Sequence, residues 1–256
     1  FQSYISQTES NFSRYSRYDG RIADRKFLPD GLFAVRLHSE PIQSPLIPEP
    51  GVSVAMRLLC DATSAHGTLK ERAASLGFTS KQQDMLQWLT ERSGLTIIAG
   101  ATGHGKSTLL KNVMEAMAEY CPTKNYWSME DPPEYAMRGV KQALFISKCS
   151  TEGERLKVLL DALAGLLRSD LDVGMVGEIR YPEVAQAAIG VALTGHSIWS
   201  TLHASSAIGI IARLREMGIS MGSICTDGVL NGLVYQRLMP ILCPECKQPL
   251  VKNPKA

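Results

Sequence analysis

The 256-residue chain predicts an α/β fold with a mostly parallel sheet covered by helices. Three observations carry that expectation. From Leu95 onward, short apolar runs alternate with helical stretches, the order expected of β–α–β units. One run leads directly into Gly100-Ala-Thr-Gly-His-Gly-Lys106-Ser107, which satisfies the pattern G-x-x-x-x-G-K-[ST] in full. The composition, 45% hydrophobic and 20% charged, allows a substantial core and excludes wholesale disorder.

Residues 1–65 read as a small N-terminal α/β or β-rich domain ending in a linker. Leu32–Leu37 and Val52–Leu59 have strand-like composition. Between them, Glu40–Gly51 carries Pro41, Pro45, Pro48 and Pro50, which excludes helix and predicts an extended, mobile loop. Cys60–Thr68 reads as linker. Two helices are expected next, over Leu69–Gly77 and Ser80–Glu91, the second capped by Ser80 and with Met85, Leu86 and Leu89 on its apolar face. The core, residues 66–242, then runs as strand Leu95–Ala99, helix Ser107–Glu119, strand Asn125–Met129, helix Leu156–Leu167, strand Val173–Gly177, helix Glu183–Leu193 and strand Ile198–Leu202. In the first of those helices, Leu109, Leu110, Val113, Met114 and Met117 recur with helical spacing.

Lys plus Arg number 27 against 25 Asp plus Glu, a net charge of +2, which argues against a polybasic nucleic-acid binder. No apolar run approaches the roughly 20 residues of a membrane span. The longest candidate, Val158–Leu167, is short and contains Asp161. A start on Phe1, with no signal peptide, is expected of a fragment. Cys60, Cys121, Cys149 and Cys225 are scattered singly and read as small buried hydrophobes in a reducing compartment.

The residue types of the glycine-rich loop follow from its chemistry. Gly100, Gly103 and Gly105 let backbone N–H groups turn onto phosphate oxygens, with Thr102 and His104 in the variable positions between them. The following helix N-terminus favours an anion. Lys106 can reach the β- and γ-phosphates of a nucleotide, Ser107 can ligate Mg²⁺, and Thr108 completes the segment. In an open parallel sheet ligands bind outside the carboxyl ends of the strands. The residues following the predicted strands are Gly100; Glu130-Asp131 and Glu134; Gly177-Glu178-Ile179-Arg180; and His203. Phosphoryl transfer needs a positioned water, Mg²⁺ and positive charge. Glu178 is expected to orient or deprotonate the water. Glu130 is expected to hold Mg²⁺ through water or to assist the base. Asp131, Glu134 and Asp172 are weaker candidates.

Beside the loop stand an acidic box (Met129-Glu-Asp-Pro-Pro-Glu134), Leu167-Arg-Ser-Asp-Leu-Asp-Val-Gly-Met-Val-Gly-Glu-Ile-Arg180, and Thr194-Gly-His196 with Ser200-Thr-Leu-His203. This set, in this order, resembles the ATPases of type II secretion, type IV pili and type IV secretion, over roughly Leu69–Leu250. The resemblance implies a RecA-like core and a small PAS-like N-terminal domain. It also implies a catalytic Glu178, a supporting Glu130, and His196 and His203 as γ-phosphate sensors. Tyr181-Pro182 replaces the family's usual Asp after the arginine, and Gly174 interrupts the strand before it, as in a divergent branch such as those of conjugative thin pili or type IVb pili. Val35–Pro41 and Gly51–Leu59 look like the strands that carry arginines towards nucleotide, which makes Arg36 and Arg57 candidate arginine fingers. Asp19-Gly20-Arg21 is similar to a family turn.

Leu233–Lys247 looks like the segment entering the tetracysteine zinc module of assembly-type members. Cys243 and Cys246 would supply half of a Zn²⁺ site, so residues 243–256 read as an incomplete module; a free thiol pair is the other reading. The family reading is an ATP- and Mg²⁺-dependent motor subunit, a cytoplasmic homo-hexamer docked on the inner membrane through a platform protein, with no nucleic acid bound. A DNA-directed motor of conjugation and a nucleotide-gated scaffold without useful turnover stay open.

Overall fold

The computed structural model describes residues 13–43, 50–60, 67–131, 133–143, 152–243 and 245–248. Most of the proline-rich loop, the linker between Cys60 and Gly67, Cys149 and the end of the cysteine segment lie outside them. The N-terminal unit is an antiparallel sheet of β1 (Tyr18–Ile22), β2 (Leu32–Ile42) and β3 (Gly51–Cys60), with one 3-10 turn at Arg25–Phe27. β2 runs past its predicted end, through Pro41. β1 pairs with β2 only as far as Ser39, so from there Pro41 lacks a β1 neighbour, and its missing N–H costs no ladder bond on that side.

The core sheet has six strands in the order β6-β5-β7-β8-β4-β9, every pair parallel. They are β4 (Gly94–Ala99), β5 (Tyr126–Met129), β6 (Lys141–Ala143), β7 (Val173–Val176), β8 (Ser197–Leu202) and β9 (Leu230–Tyr235). The helices are α1 (Leu69–Ser75), α2 (Ser80–Thr90), α3 (Lys106–Tyr120), α4 (Glu152–Leu167), α5 (Pro182–Leu193), α6 (Ala207–Glu216) and α7 (Met221–Ile224). Every residue of β4 and β8 is buried, as a strand covered on both faces requires. On one face Leu95, Ile97 and Ala99 of β4 pack with Val184, Ala188, Ile210 and Leu214 from α5 and α6. On the other, Ile98 packs with Leu69, Leu86, Leu109, Leu110 and Val113 from α1, α2 and α3. The sheet is a doubly covered α/β layer, as expected.

Several details depart from the sequence reading. Thr79, not Ser80, is the N-cap of α2, where the Gln82 side-chain oxygen accepts from the Thr79 backbone N–H at 2.9 Å. Leu86 and Leu89 are buried, but Met85 is 59% exposed beside Trp88. Cys60 and Cys225 are exposed and Cys121 is half-buried, so none of these three is the small buried hydrophobe expected. Gly174 does not break its strand. Its missing Cβ leaves room for the neighbouring Ile198 side chain, since a Cβ there would lie 2.8 Å from Ile198 Cδ1.

α1 is fastened to α3 by a buried charge network. The Arg72 guanidinium is fully buried, donates to Gly67 O at 2.9 Å, and pairs with Glu115 at 3.2 Å and with Glu119. Glu115 is likewise inaccessible and also accepts from the Arg138 backbone N–H at 3.0 Å. Arg72→Ala leaves that carboxylate buried beside a missing cation, and denaturant unfolding is expected to show a loss of ~3–5 kcal/mol.

Candidate nucleotide-binding site

The chain leaves β4 at Ala99 and turns at once into the glycine-rich loop. Gly103 and Gly105 both have φ of 78°, in the left-handed region, and Gly105 is the N-cap of α3. Gly100 answers to space instead, since a Cβ there would lie 2.4 Å from the carbonyl oxygen of Gln236. The N-terminus of the 15-residue α3 therefore opens on the loop, with its free N–H groups and dipole. Lys106 is buried, and its Nζ donates to Gly100 O at 2.8 Å and Ala101 O at 3.0 Å. Burial lowers its pKa, opposed by the nearby charges of Glu178 and Glu134. Ser107 follows, half-buried; the Thr108 hydroxyl lies 3.3 Å from the Tyr135 hydroxyl; Thr102 is exposed on the loop. His104 Nδ1 accepts from the Leu238 N–H at 3.2 Å. A glycine cradle, one buried cation and a hydroxyl fit a polyphosphate with its metal.

Two carboxylates stand at the same rim. Glu130 follows β5, is 9% exposed and lies 3.4 Å from the Gln142 amide nitrogen. Its burial raises the carboxyl pKa to about 7, against hydrogen bonds from the Glu134 backbone and from Gln142. Glu178 lies two residues beyond β7, and both of its oxygens are engaged. Oε2 accepts from Arg180 Nη2 at 2.6 Å and Nε at 2.7 Å, and Oε1 lies 3.0 Å from His203 Nε2. β5, β7 and β8 are neighbours, so Glu130, Glu178 and His203 arrive side by side. Gly177 lets them close up, because a Cβ there would lie 3.0 Å from Glu130 Cγ.

His196 is not brought to this rim. It precedes β8, with Nδ1 2.7 Å from the Thr194 hydroxyl and its carbonyl accepting from Gly94 N–H at 2.9 Å. The strand runs from there to His203, a separation on the order of 20 Å. Within one chain His196 therefore cannot touch a phosphate that His203 touches. Asp172 accepts from the Asn125 N–H at 2.7 Å, a structural cap.

Arg21, Arg36 and Arg57 face one another directly across β1, β2 and β3, and so share one face of the small sheet. Arg21 donates to Pro133 O at 3.2 Å, lies 5.1 Å from the Phe33 ring, and has its pKa lowered by burial while the charge of Glu130 opposes that shift. Arg57 pairs with Glu134 at 3.0 Å. Arg36, between them, is exposed and makes no ion pair among the described residues. Arg21 and Arg180 are contributors to which sequence reasoning assigned no role. Arg180 was visible as the arginine two residues after Glu178; the placement of Arg21 depends on how the two sheets meet. Cys243 and Cys246 are exposed free thiols, and backbone N–H groups of Cys246 and Glu245 lower the Cys243 pKa. Among the described residues no group of three His, Cys, Asp or Glu is arranged to hold a metal, so the pair has no third ligand beside it there.

The geometry is therefore that of a P-loop α/β domain, a parallel sheet with a glycine-rich phosphate loop and two carboxylates at its carboxyl rim. The family model described as "Type II/IV secretion system protein" matches residues 15–256, and the chain belongs to that family. It is 36% identical over 231 residues to the putative type II secretion system protein E of Escherichia coli, covering 89% of this chain and 44% of that protein. It is 35% identical over 232 residues to the type II secretion system ATPase E of Vibrio cholerae, covering 89% and 43%. The chain thus spans under half the length of the curated relatives it matches. Among solved structures, the pilus retraction motor PilT with bound ADP superposes with a TM-score of 0.56 at 26% identity, over 81% of this chain and 53% of that one. The Legionella pneumophila ATPase DotB gives 0.63 at 19% identity, over 88% and 59%.

The sign of the Glu130 shift gives a stability test. The folded state holds this proton up to about pH 7, whereas an ordinary glutamate releases it near 4.5. Wild-type stability is therefore expected to fall as pH rises through that window. Denaturant titrations across it should show this slope, and Glu130→Gln should lack it.

Proposed function

We propose that the chain is the ATP-hydrolysing motor portion of a secretion ATPase that works in a ring and drives type II secretion or assembly of a related pilus. The observation that carries this reading is the arrival of Glu130, Glu178 and His203, with Arg180, at the carboxyl rim that also holds the phosphate loop. The names of the curated relatives favour type II secretion. Among the described residues no helix is long and apolar enough to cross a membrane. Attachment through a membrane platform protein is consistent with that, and so is a homo-hexameric ring, in which the small sheet of each subunit would move against the core.

The division of labour follows from the local electrostatics. Loop N–H groups and Lys106 hold the phosphates. Ser107 and, through water, Glu130 would hold Mg²⁺, which supplies charge neutralisation and takes most of its ligands from phosphate and water. Glu178 is already engaged with Arg180 and His203, which suits it to orienting water and fixing those two side chains at the terminal phosphate. Glu130, buried at the same rim, would assist that step through the water it holds on the metal. Arg57 and Arg21 brace the acidic box, and Arg36 is the arginine left to meet an anion.

Lys106→Ala is expected to lose nucleotide affinity in calorimetry, and Glu178→Gln to keep it while losing turnover. Normal hydrolysis by Glu178→Gln would sink its role. Glu130→Gln should lower the rate about 10²–10⁴-fold in a steady-state assay.

A further inference from the structure

Gln236, the residue after β9, takes no part in the chemistry above, yet it is held against the phosphate loop. Its backbone N–H donates to Ala99 O at 2.8 Å, which carries the β4–β9 ladder to the mouth of the loop. Its carbonyl oxygen fills the space where Gly100 would carry a Cβ, at 2.4 Å. Its side chain reaches the far end of the loop, where a Cβ on Gly105 would lie 2.9 Å from Gln236 Nε2 and 3.6 Å from Leu238 Cδ2. Leu238 N–H then donates to His104 Nδ1. One short segment, residues 236–238, lies against the first, fifth and sixth residues of the loop.

The carboxamide oxygen is the informative atom. Gln236 is 9% exposed, and its Oε1 is buried with no hydrogen-bond partner among the described residues. A buried acceptor without a partner destabilises a fold, and a methionine of similar length would avoid that cost. Fold stability therefore does not account for an amide here. Its neighbour does: the amide packs against Gly105, the N-cap of α3, where loop N–H groups turn outward.

We propose that Gln236 is a positioning residue for the phosphate loop. Its backbone packs against Gly100 and its carboxamide against Gly105, which limits how far either glycine can turn from the conformation that presents N–H groups to a nucleotide polyphosphate, and the Leu238–His104 bond closes the same strap from outside. The inference rests on the nucleotide-binding reading and deepens it.

Calorimetric titration with ATP and with inorganic tripolyphosphate, on wild type and on Gln236→Met, Gln236→Glu and His104→Ala, tests it. Gln236→Met should keep the thermal midpoint yet bind both ligands about tenfold more weakly. Its KM for ATP should rise while kcat changes less than about twofold. Gln236→Glu should bind more weakly still, with the extra loss shrinking as salt is added, because an anion then faces the phosphates. His104→Ala should weaken both ligands in the same direction. Unchanged binding by Gln236→Met overturns the proposal. So does a loss confined to ATP, which would put the residue on the nucleoside, or a loss that tracks a fallen thermal midpoint. Failure of the wild-type chain to bind either ligand overturns the nucleotide reading itself.

Discussion

All six core strands run in one direction, and that constraint decides where chemistry can occur in this molecule. A parallel sheet has two unlike rims. The carboxyl rim receives the chain as it leaves each strand, at Gly100, Glu130, Gly177-Glu178, His203 and Gln236. Strand register then brings groups far apart in sequence to neighbouring positions: Met129 pairs with Val176, so Glu130 and Gly177 emerge together. The missing Cβ atoms at Gly174 and Gly177 follow from the same constraint, since they leave room for the Ile198 and Glu130 side chains that the register sets beside them.

Within the rim, solvent access sorts two chemically identical side chains. Glu130 is enclosed without a cation bonded to it among the described residues, and its proton affinity rises. Glu178 keeps more contact with solvent and is paired on both oxygens. Two carboxylates on adjacent strands are thereby made different without any difference in residue type, a separation that serves acid–base chemistry.

Most of the core was legible in the amino-acid sequence because its signals are local. The glycine loop, the alternation of strand and helix, and the polar residues after β4, β5, β7 and β8 were readable residue by residue. β6 was not, because three residues make too short a run to stand out. β9 was hidden differently. Leu230–Tyr235 contains Asn231 and Gly232, and only contact reveals why: Asn231 donates to Leu89 O at 2.9 Å, and a Cβ at 232 would lie 2.5 Å from Leu89 Cδ2. His196 was misplaced because motif proximity to His203 says nothing about which end of a strand a residue occupies. The docking of Arg21 and Arg57 onto the acidic box was beyond reach, since it joins segments over 70 residues apart in sequence, from Arg57 to Glu134.

The row of Arg21, Arg36 and Arg57 gives the chain's near-neutrality a different meaning. Like charges set directly opposite across strands repel one another. Here the outer two are answered by the Pro133 carbonyl and the Glu134 carboxylate in the loop after β5. Residues 1–65 carry seven Lys plus Arg and seven Asp plus Glu, so the balance holds for the small unit by itself and the arginine row is a local patch within it. Drawing that loop away would leave three like charges to face one another across the strands.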